Sequence, residues 1–413
     1  MHILVESQFF YPEQMRINDI CAALVERGHT VTVVTSIPNY PQGKYYPGYG
    51  LFKRRKETYK GMVIHHLPVV ARGKGFVGLT LNYISFVVSG WFFAHFTTIK
   101  PDLVFMNMSS PMTQSLVGTW VAKRRRIPSI IYVLDLWPES FEVVTGISSP
   151  LILKPLGRMV DHIYSRVGRV LTSSKSFIDS IKARGVAEEK LEFWPQYAEE
   201  FYKPVQGSNA SQTNVIPSDG RLKVIFTGNV GLAQGLDLLI PVAQSLDDKG
   251  VSICFVIVGD GSYKSELIHQ VAERSLQHTF HFIERQPATD IPLLLSHADI
   301  GLVMLKRSEI FSKTIPAKVQ SYMACALPII VSADGEVQEV VLEANAGFVA
   351  PAEDAVALTD AIEAFSSLSR VEREAMGEAA MAYSNRMFNK EHLIDRLECI
   401  MIELYEENTH VHK

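Results

Sequence analysis

Cysteine is scarce in the sequence, and none of its four cysteines forms a CxxC pair. They are scattered along the chain, so we expect neither a disulfide framework nor a zinc site. The fingerprint GxGxxG is missing from QFFYPEQMR, the segment after the first apolar run, which argues against an NAD-type site and therefore against a dehydrogenase. No basic stretch or cleavage site precedes that apolar run, so we expect no signal peptide.

The net charge is also small, because 40 Lys and Arg side chains oppose 44 Asp and Glu side chains. This balance conceals an asymmetry, since residues 1–205 carry a net charge of +8 and residues 206–413 a net charge of −12. The length of 413 residues favours two domains, and a hydrophobic content of 47% excludes a disordered chain. A basic half joined to an acidic half indicates two domains with different partners.

Short apolar runs alternate with helix-like segments in both halves of the chain. The predicted strands are HILVE, VTVVTS, DLVFMN, SIIYVLD and RVLTSS in the first half, then LKVIFTG, SICFVIVG, FHFI, IGLVML and PIIVS in the second. This alternation predicts an α/β fold with two doubly wound parallel sheets. We assign an N-terminal domain to residues 1–202, a polar linker to 203–221, a second domain to 222–388 and a C-terminal helix to 389–413.

The segment from residue 75 to residue 99 contains no Asp, Glu, Lys or Arg. It is long enough to span a membrane, but predicted strands of one sheet lie on both sides of it, and a sheet cannot take strands from opposite faces of a bilayer. Two interpretations remain, a helix buried against the sheet or a helix whose outer face dips into a membrane surface. Cations of the same domain favour the membrane surface, namely Lys53–Lys56, Arg72, Lys74 and Lys123–Arg126. We expect no nucleic-acid partner, because no stacking pattern of aromatic residues accompanies these cations.

Candidate ligand-binding residues follow the predicted strands, because open parallel sheets bind ligands beyond the carboxyl ends of their strands, and two such sheets predict a cleft between the domains. In the first domain, Arg16 at the start of a helix is either a phosphate-binding group or a surface arginine. Asp135 and Glu139 follow a strand in the segment DLWPES. Asp135 fits a proton acceptor or a ligand of a substrate hydroxyl, and Glu139 either shares that role or caps a helix. A plain helix-entry turn is the alternative for both.

The second domain contains two glycine turns and a run of cations. The turns around Gly228 and Gly259–Asp260 would direct backbone N–H groups toward a phosphate or a sugar, although glycine is common at such junctions. The stronger pattern follows IGLVML, where cations precede and enter a helix that Pro316 marks: Lys306, Arg307, Lys313 and Lys318. Lysines around a helix N-terminus in an acidic domain suit a diphosphate, and a solvated loop is the alternative.

Taken together, these segments resemble the glycosyltransferase family 4 enzymes of bacterial surface polysaccharide synthesis, in particular the branch that includes L-fucosamine transferases of O-antigen pathways. The matching pieces include FFYPE, RGHTVTVVTSIPNYPQGKYYPGY, DLWPES, TGNVGLAQGLDLL, VGDGSYKSEL, HADIGLVML and KTIPAKVQSYMACALPII. Single pieces are weak, but their order and spacing over nearly the whole chain are specific. The resemblance implies a GT-B fold, with two Rossmann-like domains facing a central cleft and a C-terminal helix that crosses back to the first domain.

The resemblance also implies residue roles in the second domain, which would hold the donor. Gly228 and Asn229 fall in the diphosphate loop, and Arg285–Pro287 fall where family members often contact the base. Lys313 and Ser321 occupy the two glutamate positions of the family's Glu-x7-Glu segment, and Asn229 and Gln234 stand where many members have Arg and Lys. We therefore expect Lys313 and Lys318 to provide the positive charge, and Gln320 or Ser321 to bind the ribose.

The family implies transfer of a sugar from a nucleotide donor, with UDP favoured, with retention of configuration and without a metal or other cofactor. The acceptor implied is a polyprenyl-linked sugar of O-antigen, lipopolysaccharide or capsule synthesis, which predicts a cytoplasmic protein at the inner membrane surface. Asp135 and Glu139 would then orient the acceptor or act as a base. Two alternatives remain open, a nucleotide-sugar epimerase on the same fold and an inactive membrane-surface binding protein.

Overall fold

The structure is a computed structural model that describes residues 1–73, 75–205 and 215–411. Lys74, residues 206–214 of the predicted linker and the last two residues of the chain lie outside the described residues. The chain divides into two compact units. Unit 1 comprises residues 1–194 and 391–413, and unit 2 comprises residues 195–390.

Unit 1 is an eight-stranded sheet covered by helices. Its strands are β1 (His2–Glu6), β2 (Thr30–Ser36), β3 (Lys56–Tyr59), β4 (Met62–Leu67), β5 (Leu103–Met108), β6 (Ser129–Val133), β7 (Arg169–Thr172) and β8 (Leu191–Phe193). Its helices are α1 (Arg16–Glu26), α2 (Phe76–Phe96), α3 (Leu116–Arg125), α4 (Glu139–Thr145), α5 (Pro150–Arg166) and α6 (Lys175–Lys182). The strand order is β3-β4-β2-β1-β5-β6-β7-β8, and every pair is parallel except the hairpin β3–β4 at one edge.

Unit 2 is a six-stranded, wholly parallel sheet. Its strands are β9 (Leu222–Thr227), β10 (Ile253–Val258), β11 (Phe280–Ile283), β12 (Ile300–Met304), β13 (Ile329–Ser332) and β14 (Gly347–Ala350). Its helices are α7 (Leu239–Asp248), α8 (Lys264–Glu273), α9 (Ile291–Leu295), α10 (Glu309–Ser312), α11 (Ala317–Ala324), α12 (Glu336–Glu343), α13 (Ala355–Ser366) and α14 (Arg370–Met387). The order β11-β10-β9-β12-β13-β14 reverses between β9 and β12, which makes that position the switch point where doubly wound sheets bind ligands.

The last helix, α15 (Lys390–Val411), packs on unit 1. Its acidic face pairs with Arg27, which lies 2.9 Å from Glu391 and 3.1 Å from Glu398. On another face the indole of Trp194 donates a hydrogen bond of 2.7 Å to the carbonyl of Leu393. The chain therefore leaves unit 1 after β8 and completes it only with its final helix.

The sequence prediction of an α/β fold with two doubly wound sheets is confirmed, and the ten predicted strands are all present. Four strands were not predicted, namely β3, β4, β8 and β14. Three of them are short, and β4 carries two adjacent histidines that interrupt its apolar character. Residues 195–202, assigned to the first domain from sequence, lie with unit 2, because Tyr202 packs on the core of that unit.

Candidate functional site

Two glycine loops of unit 2 pack backbone against backbone at the carboxyl ends of β9 and β10. Gly228 has a φ of +130° and Gly259 a φ of +143°, values that L side chains rarely adopt. A Cβ atom on Gly259 would lie 1.9 Å from the carbonyl oxygen of Gly228. The amide of Val230 donates to the carbonyl of Asp260 at 2.9 Å, so the Asp260 turn holds the first loop in place. The predicted glycine turns thus form one surface made of main-chain atoms.

The loops after β9 and β12 meet at the switch point. The Lys306 amide donates to the carbonyl of Ala233 at 3.0 Å, and the Lys306 ammonium lies 3.8 Å from Asp237. Gly235 adopts a φ of +63°, and a side chain there would approach the Lys306 side chain. Lys306 therefore fastens one loop to the other and pairs with a carboxylate of its own unit.

Lys318, in the first turn of α11, faces the glycine loop. Its ammonium donates a hydrogen bond of 2.9 Å to Oε1 of Gln234 and lies 3.6 Å from the ring centroid of Phe226. Within the described residues it has no carboxylate partner, and burial lowers its pKa to about 7. Its nitrogen would lie 3.9 Å from a Cβ atom on Gly228. A cation in this position suits an anionic ligand bound at the loop.

Tyr322 holds α11 in this position. Its buried hydroxyl accepts a hydrogen bond of 2.9 Å from the amide of Thr227, the last residue of β9. Its ring lies against Gly301, where an added Cβ would approach to 2.5 Å. Because Tyr322 is one helical turn beyond Lys318, this contact fixes the direction of Lys318. Sequence reasoning missed Tyr322, although it stands inside the quoted motif KTIPAKVQSYMACALPII.

The other predicted cations have carboxylate partners. The Arg307 guanidinium lies 3.5 Å from Asp334 and donates to the carbonyl of Ala352 at 2.9 Å. Lys313 lies 2.8 Å from Glu309, one turn earlier in α10. The four cations after β12 are therefore not one cluster, and only Lys318 lacks a carboxylate partner among the described residues.

The residues predicted to bind ribose point back into α11. Gln320 is fully buried, and in the amide orientation that satisfies its surroundings its nitrogen lies 3.1 Å from the carbonyl oxygens of Pro316 and Ala317. The Ser321 hydroxyl donates to the Ala317 carbonyl at 3.3 Å. Pro316 is the N-cap residue of the helix. Asn229 and Arg285 are exposed, in the loops after β9 and β11 respectively.

Lys264, a further lysine, was not singled out from the sequence. Its side chain is only 8% exposed, and its ammonium contacts the carbonyl of Gly259 and the carboxylate of Glu284, each at 2.9 Å. Lys264 thus connects the second glycine loop with the loop after β11. Its signal in the sequence is the lysine of VGDGSYKSEL.

In unit 1, the two carboxylates of DLWPES have different surroundings. Oδ2 of Asp135 accepts a hydrogen bond of 3.1 Å from the Ser110 amide, and the Ser110 hydroxyl accepts from the Trp137 indole at 2.9 Å. Glu139 is exposed in the first turn of α4, and its carboxylate lies 3.9 Å from Arg184. Asp135 is therefore held at the carboxyl edge of the sheet, between the loops after β5 and β6, whereas Glu139 contributes to a helix N-terminus.

Arg16 begins α1, and its charge acts on the buried hydroxyl of Tyr132 in β6. Burial of Tyr132 raises the pKa of its phenol, and the nearby Arg16 charge opposes that shift. The structure thus places the Arg16 side chain over the carboxyl half of the sheet of unit 1.

A buried carboxylate that sequence reasoning did not assign stands close by. Glu13, in the quoted piece FFYPE, is 2% exposed, and its Oε1 accepts hydrogen bonds of 2.7 Å from the amides of Asn39 and Tyr40. Burial raises the pKa of Glu13 to about 7, although these hydrogen bonds and the charge of Arg72 act in the opposite direction. Glu13 joins the loops that follow β1 and β2.

Helix α2 is long and apolar enough to cross a membrane, but β4 and β5 on either side of it lie in one sheet. Its buried side is the narrow stripe of Asn82, Phe86, Gly90 and Ala94. The exposed apolar side chains of the helix are Phe76, Val77, Leu81, Ile84, Val88, Trp91, Phe92 and Phe96. The interpretation of this segment as a buried core helix is therefore wrong.

Comparisons with known proteins agree with this architecture. The family model described as "Glycosyl transferase 4-like domain" matches residues 14–196, and the one described as "Glycosyl transferases group 1" matches residues 210–382. Sucrose-phosphate synthase from Thermosynechococcus elongatus has the same fold, with a TM-score of 0.75 and 17% identity over 98% of this chain and 99% of that one. The chain therefore belongs to the glycosyltransferases of the GT-B fold.

The comparisons also include a relative by sequence and a structure solved with a nucleotide. The chain is 25% identical over 350 residues to the colanic acid biosynthesis glycosyl transferase WcaI of Escherichia coli strain K12, which covers 81% of this chain and 84% of that protein. The HepE protein of Anabaena, whose structure was solved in complex with UDP, has a TM-score of 0.70 and 15% identity over 97% of this chain and 99% of that one. Membership of the glycosyltransferase family decides against the epimerase alternative.

Proposed function

We propose that the protein transfers a sugar, with retention of configuration and without a metal, from a UDP-sugar bound at the glycine loops of unit 2. The observation that carries this proposal is Lys318, a cation with no carboxylate partner among the described residues, whose ammonium faces Gly228 and Gln234. A diphosphate there would accept hydrogen bonds from main-chain amides and from the ammonium. The complex of HepE with UDP supports the choice of nucleotide.

The chemistry follows from where negative charge develops. As the bond from the anomeric carbon to the diphosphate breaks, Lys318 and the N-terminus of α11 would stabilise the departing diphosphate. An acceptor hydroxyl would attack the anomeric carbon from the same face, and the departing phosphate would take its proton. Because the departing phosphate takes the proton, no enzymic base is required, and Asp135 in unit 1 would bind a hydroxyl of the acceptor.

The proposed acceptor is a sugar linked to a polyprenyl carrier at the inner face of the cytoplasmic membrane. The exposed apolar face of α2 supports this, because a water-soluble helix seldom leaves eight large apolar side chains uncovered. Cations of the same unit would attract anionic lipid, notably those at positions 53–56. O-antigen or capsule synthesis and an aminosugar donor remain proposals that rest on the resemblance.

The experiment is the substitution Lys318→Ala, assayed for transfer and hydrolysis with a panel of UDP-sugars. We expect turnover to fall by roughly 10²–10³-fold, as for the loss of one group that stabilises the leaving charge, and the thermal shift produced by UDP to disappear. Lys249→Ala is the matched control, because Lys249 follows the carboxyl end of α7, the end far from the glycine loops, and pairs with Glu363. Unchanged kinetics of Lys318→Ala would overturn the phosphate role, and an inert wild-type protein that still binds vesicles would favour the inactive binding protein.

A further inference from the structure

Arg72, in the segment between β4 and α2, is a half-buried cation of unit 1 that forms no salt bridge among the described residues, although its charge acts on Glu13. Its guanidinium lies over the ring of Tyr40, 5.2 Å from the centroid. No described side chain or carbonyl accepts a hydrogen bond from that guanidinium. The planar fork of an arginine matches a carboxylate or a phosphate, and these donors face solvent, where a ligand can reach them.

The surroundings of Arg72 are rigid. Its amide donates to Oδ1 of Asn39 at 3.0 Å, and the Asn39 amide is in turn held by Glu13. Buried Asn82 of α2 donates to the carbonyl of Val70 at 2.6 Å. Side-chain hydrogen bonds therefore fix the segment after β4 to α2 and to the loop after β2, and Arg72 is positioned before any ligand binds.

Two hydroxyl-binding groups stand beside this cation. Tyr83 follows Asn82 on α2, and burial raises the pKa of its phenol, while the neighbouring Arg72 charge lowers it and Asp135 raises it. Tyr83, next to the anchored Asn82, therefore lies within electrostatic reach of both charges. Asp135 uses Oδ2 for the Ser110 amide, and no donor among the described residues bonds its Oδ1, which could accept from a ligand. One cation, one phenol and one carboxylate thus converge beside the exposed apolar helix α2.

We propose that Arg72 binds a phosphate of the acceptor, with Tyr83 donating to the same phosphate and Asp135 accepting from a sugar hydroxyl. This assignment rests on the proposed function and specifies its acceptor as a phosphate-bearing prenyl carrier. Arginine suits a phosphate, because its donors match two oxygens at once. The apolar surface of α2, next to Tyr83, suits the prenyl chain.

The test uses geranyl diphosphate, a short soluble prenyl diphosphate, with the full chain, and measures the dissociation constant by calorimetry. Wild-type protein is expected to bind geranyl diphosphate and not geraniol. Arg72→Gln should weaken binding at least tenfold, Arg72→Lys by less, and Tyr83→Phe severalfold. Lys100→Gln is the control, because Lys100 is an exposed cation at the opposite edge of the same sheet.

Separate measurements distinguish the possible outcomes. UDP binding should depend on Lys318 and not on Arg72, so a failure of the donor proposal appears as absent UDP binding with the geranyl diphosphate result intact. Unchanged geranyl diphosphate binding in both Arg72→Gln and Tyr83→Phe would overturn the assignment. It would also be overturned if Arg72→Gln lost only its binding to phosphatidylglycerol vesicles, because Arg72 would then contact lipid headgroups and not the acceptor.

Discussion

The carboxyl edges of the two sheets differ in the atoms that form them, which are main-chain atoms in unit 2 and side chains in unit 1. In unit 2 the edge is main chain against main chain, where a Cβ on Gly259 would lie 1.9 Å from the Gly228 carbonyl oxygen. In unit 1 the edge is formed by buried side chains. Glu13 and Asn82 make hydrogen bonds to backbone groups of neighbouring loops. A surface of backbone amides suits one recurring ligand, a diphosphate, whereas a surface of side chains is free to vary with the acceptor.

The two units also differ in net charge, which is positive for unit 1 and negative for unit 2. Unit 1 contains 25 Lys and Arg against 20 Asp and Glu, and unit 2 contains 15 against 24. The acidic α15 reduces the positive charge of unit 1, because its carboxylates meet cations such as Arg27. In unit 2 the excess of negative charge gives weight to a cation without a carboxylate partner among the described residues, and the proposed donor site depends on that cation, Lys318. Net charge alone would assign the donor diphosphate to unit 1, whereas the proposed donor site lies in unit 2.

The largest expected effect comes from a methyl group at the backbone edge. Gly259→Ala would place a Cβ 1.9 Å from the Gly228 carbonyl, so we expect unit 2 to lose about 3 kcal/mol or more of stability and UDP binding to vanish. Gly250→Ala is the matched control, because its φ is also positive but no atom lies within 4 Å, and it should cost about 1–2 kcal/mol. Circular dichroism and UDP titration measure both, and equal effects would contradict the packing argument.

At the side-chain edge, Glu13→Gln should change the pH dependence of unit 1. Because the pKa of Glu13 is about 7 in the folded state and near 4.5 in the unfolded chain, wild-type stability falls as pH rises through that window, by roughly 2–3 kcal/mol between pH 5 and 8. The glutamine removes this loss and keeps an oxygen for the Asn39 and Tyr40 amides. Urea unfolding followed by tryptophan fluorescence reports unit 1 alone, because all four tryptophans lie there.

Glu26→Gln, at an exposed position of α1, provides the control and should leave the pH profile unchanged. Parallel profiles for wild type and Glu13→Gln would show that the buried carboxyl does not titrate in this window.

A smaller effect is expected in the pH dependence of the donor site. Because burial lowers the pKa of Lys318 to about 7, its charge is lost as pH rises, and the affinity for a UDP-sugar should fall about tenfold between pH 6 and 8. Lys318→Gln should give a weak and flat profile. Exchange of the partners in the double variant Gln234→Lys/Lys318→Gln should restore part of the affinity, since the two side chains lie 2.9 Å apart. No recovery would show that the position of the cation matters as well as its charge.

The smallest effect concerns the surface of unit 1. Phe92→Ser together with Phe96→Ser should lower co-sedimentation with phosphatidylglycerol vesicles without shifting the unfolding midpoint, because both rings are exposed. Val371→Ser, an exposed apolar position in unit 2, is the matched control. Equal co-sedimentation of the three proteins would remove α2 from the membrane proposal.

The fold was largely predictable from the sequence. Central strands such as β1 and β10 are continuous apolar runs because both faces of a parallel sheet are buried, and such runs are visible without a structure. The edge strand β3 has the sequence KETY, whose exposed side chains give no apolar signal. Prediction therefore succeeded where burial decides the residue type, including the edge strand β11, and missed the edge strands β3, β8 and β14 and the histidine-containing β4.

The candidate site was less predictable, because pairing depends on residues distant in the chain. Arg307 and Lys318 are both basic residues, but Arg307 pairs with Asp334, whereas Lys318 donates a hydrogen bond to a glutamine 84 positions earlier. Gln320 and Ser321 were expected to face a ribose, but their helical phase turns them inward. A motif gives the identity of such residues, and only the packing of α11 gives their direction.

The return of the chain to unit 1 through α15 bears on how the protein is made. Residues 195–390 form a continuous piece that leaves the ribosome in one stretch, whereas unit 1 also needs residues of α15, which follow unit 2 in the chain. Until α15 packs on unit 1, the Trp194 indole lacks its acceptor, the Leu393 carbonyl, and the side of Gly168 that Leu404 covers is exposed. A nascent chain can therefore complete unit 2 before unit 1, and a chain that stops before α15 would contain unit 2 but leave unit 1 unfinished.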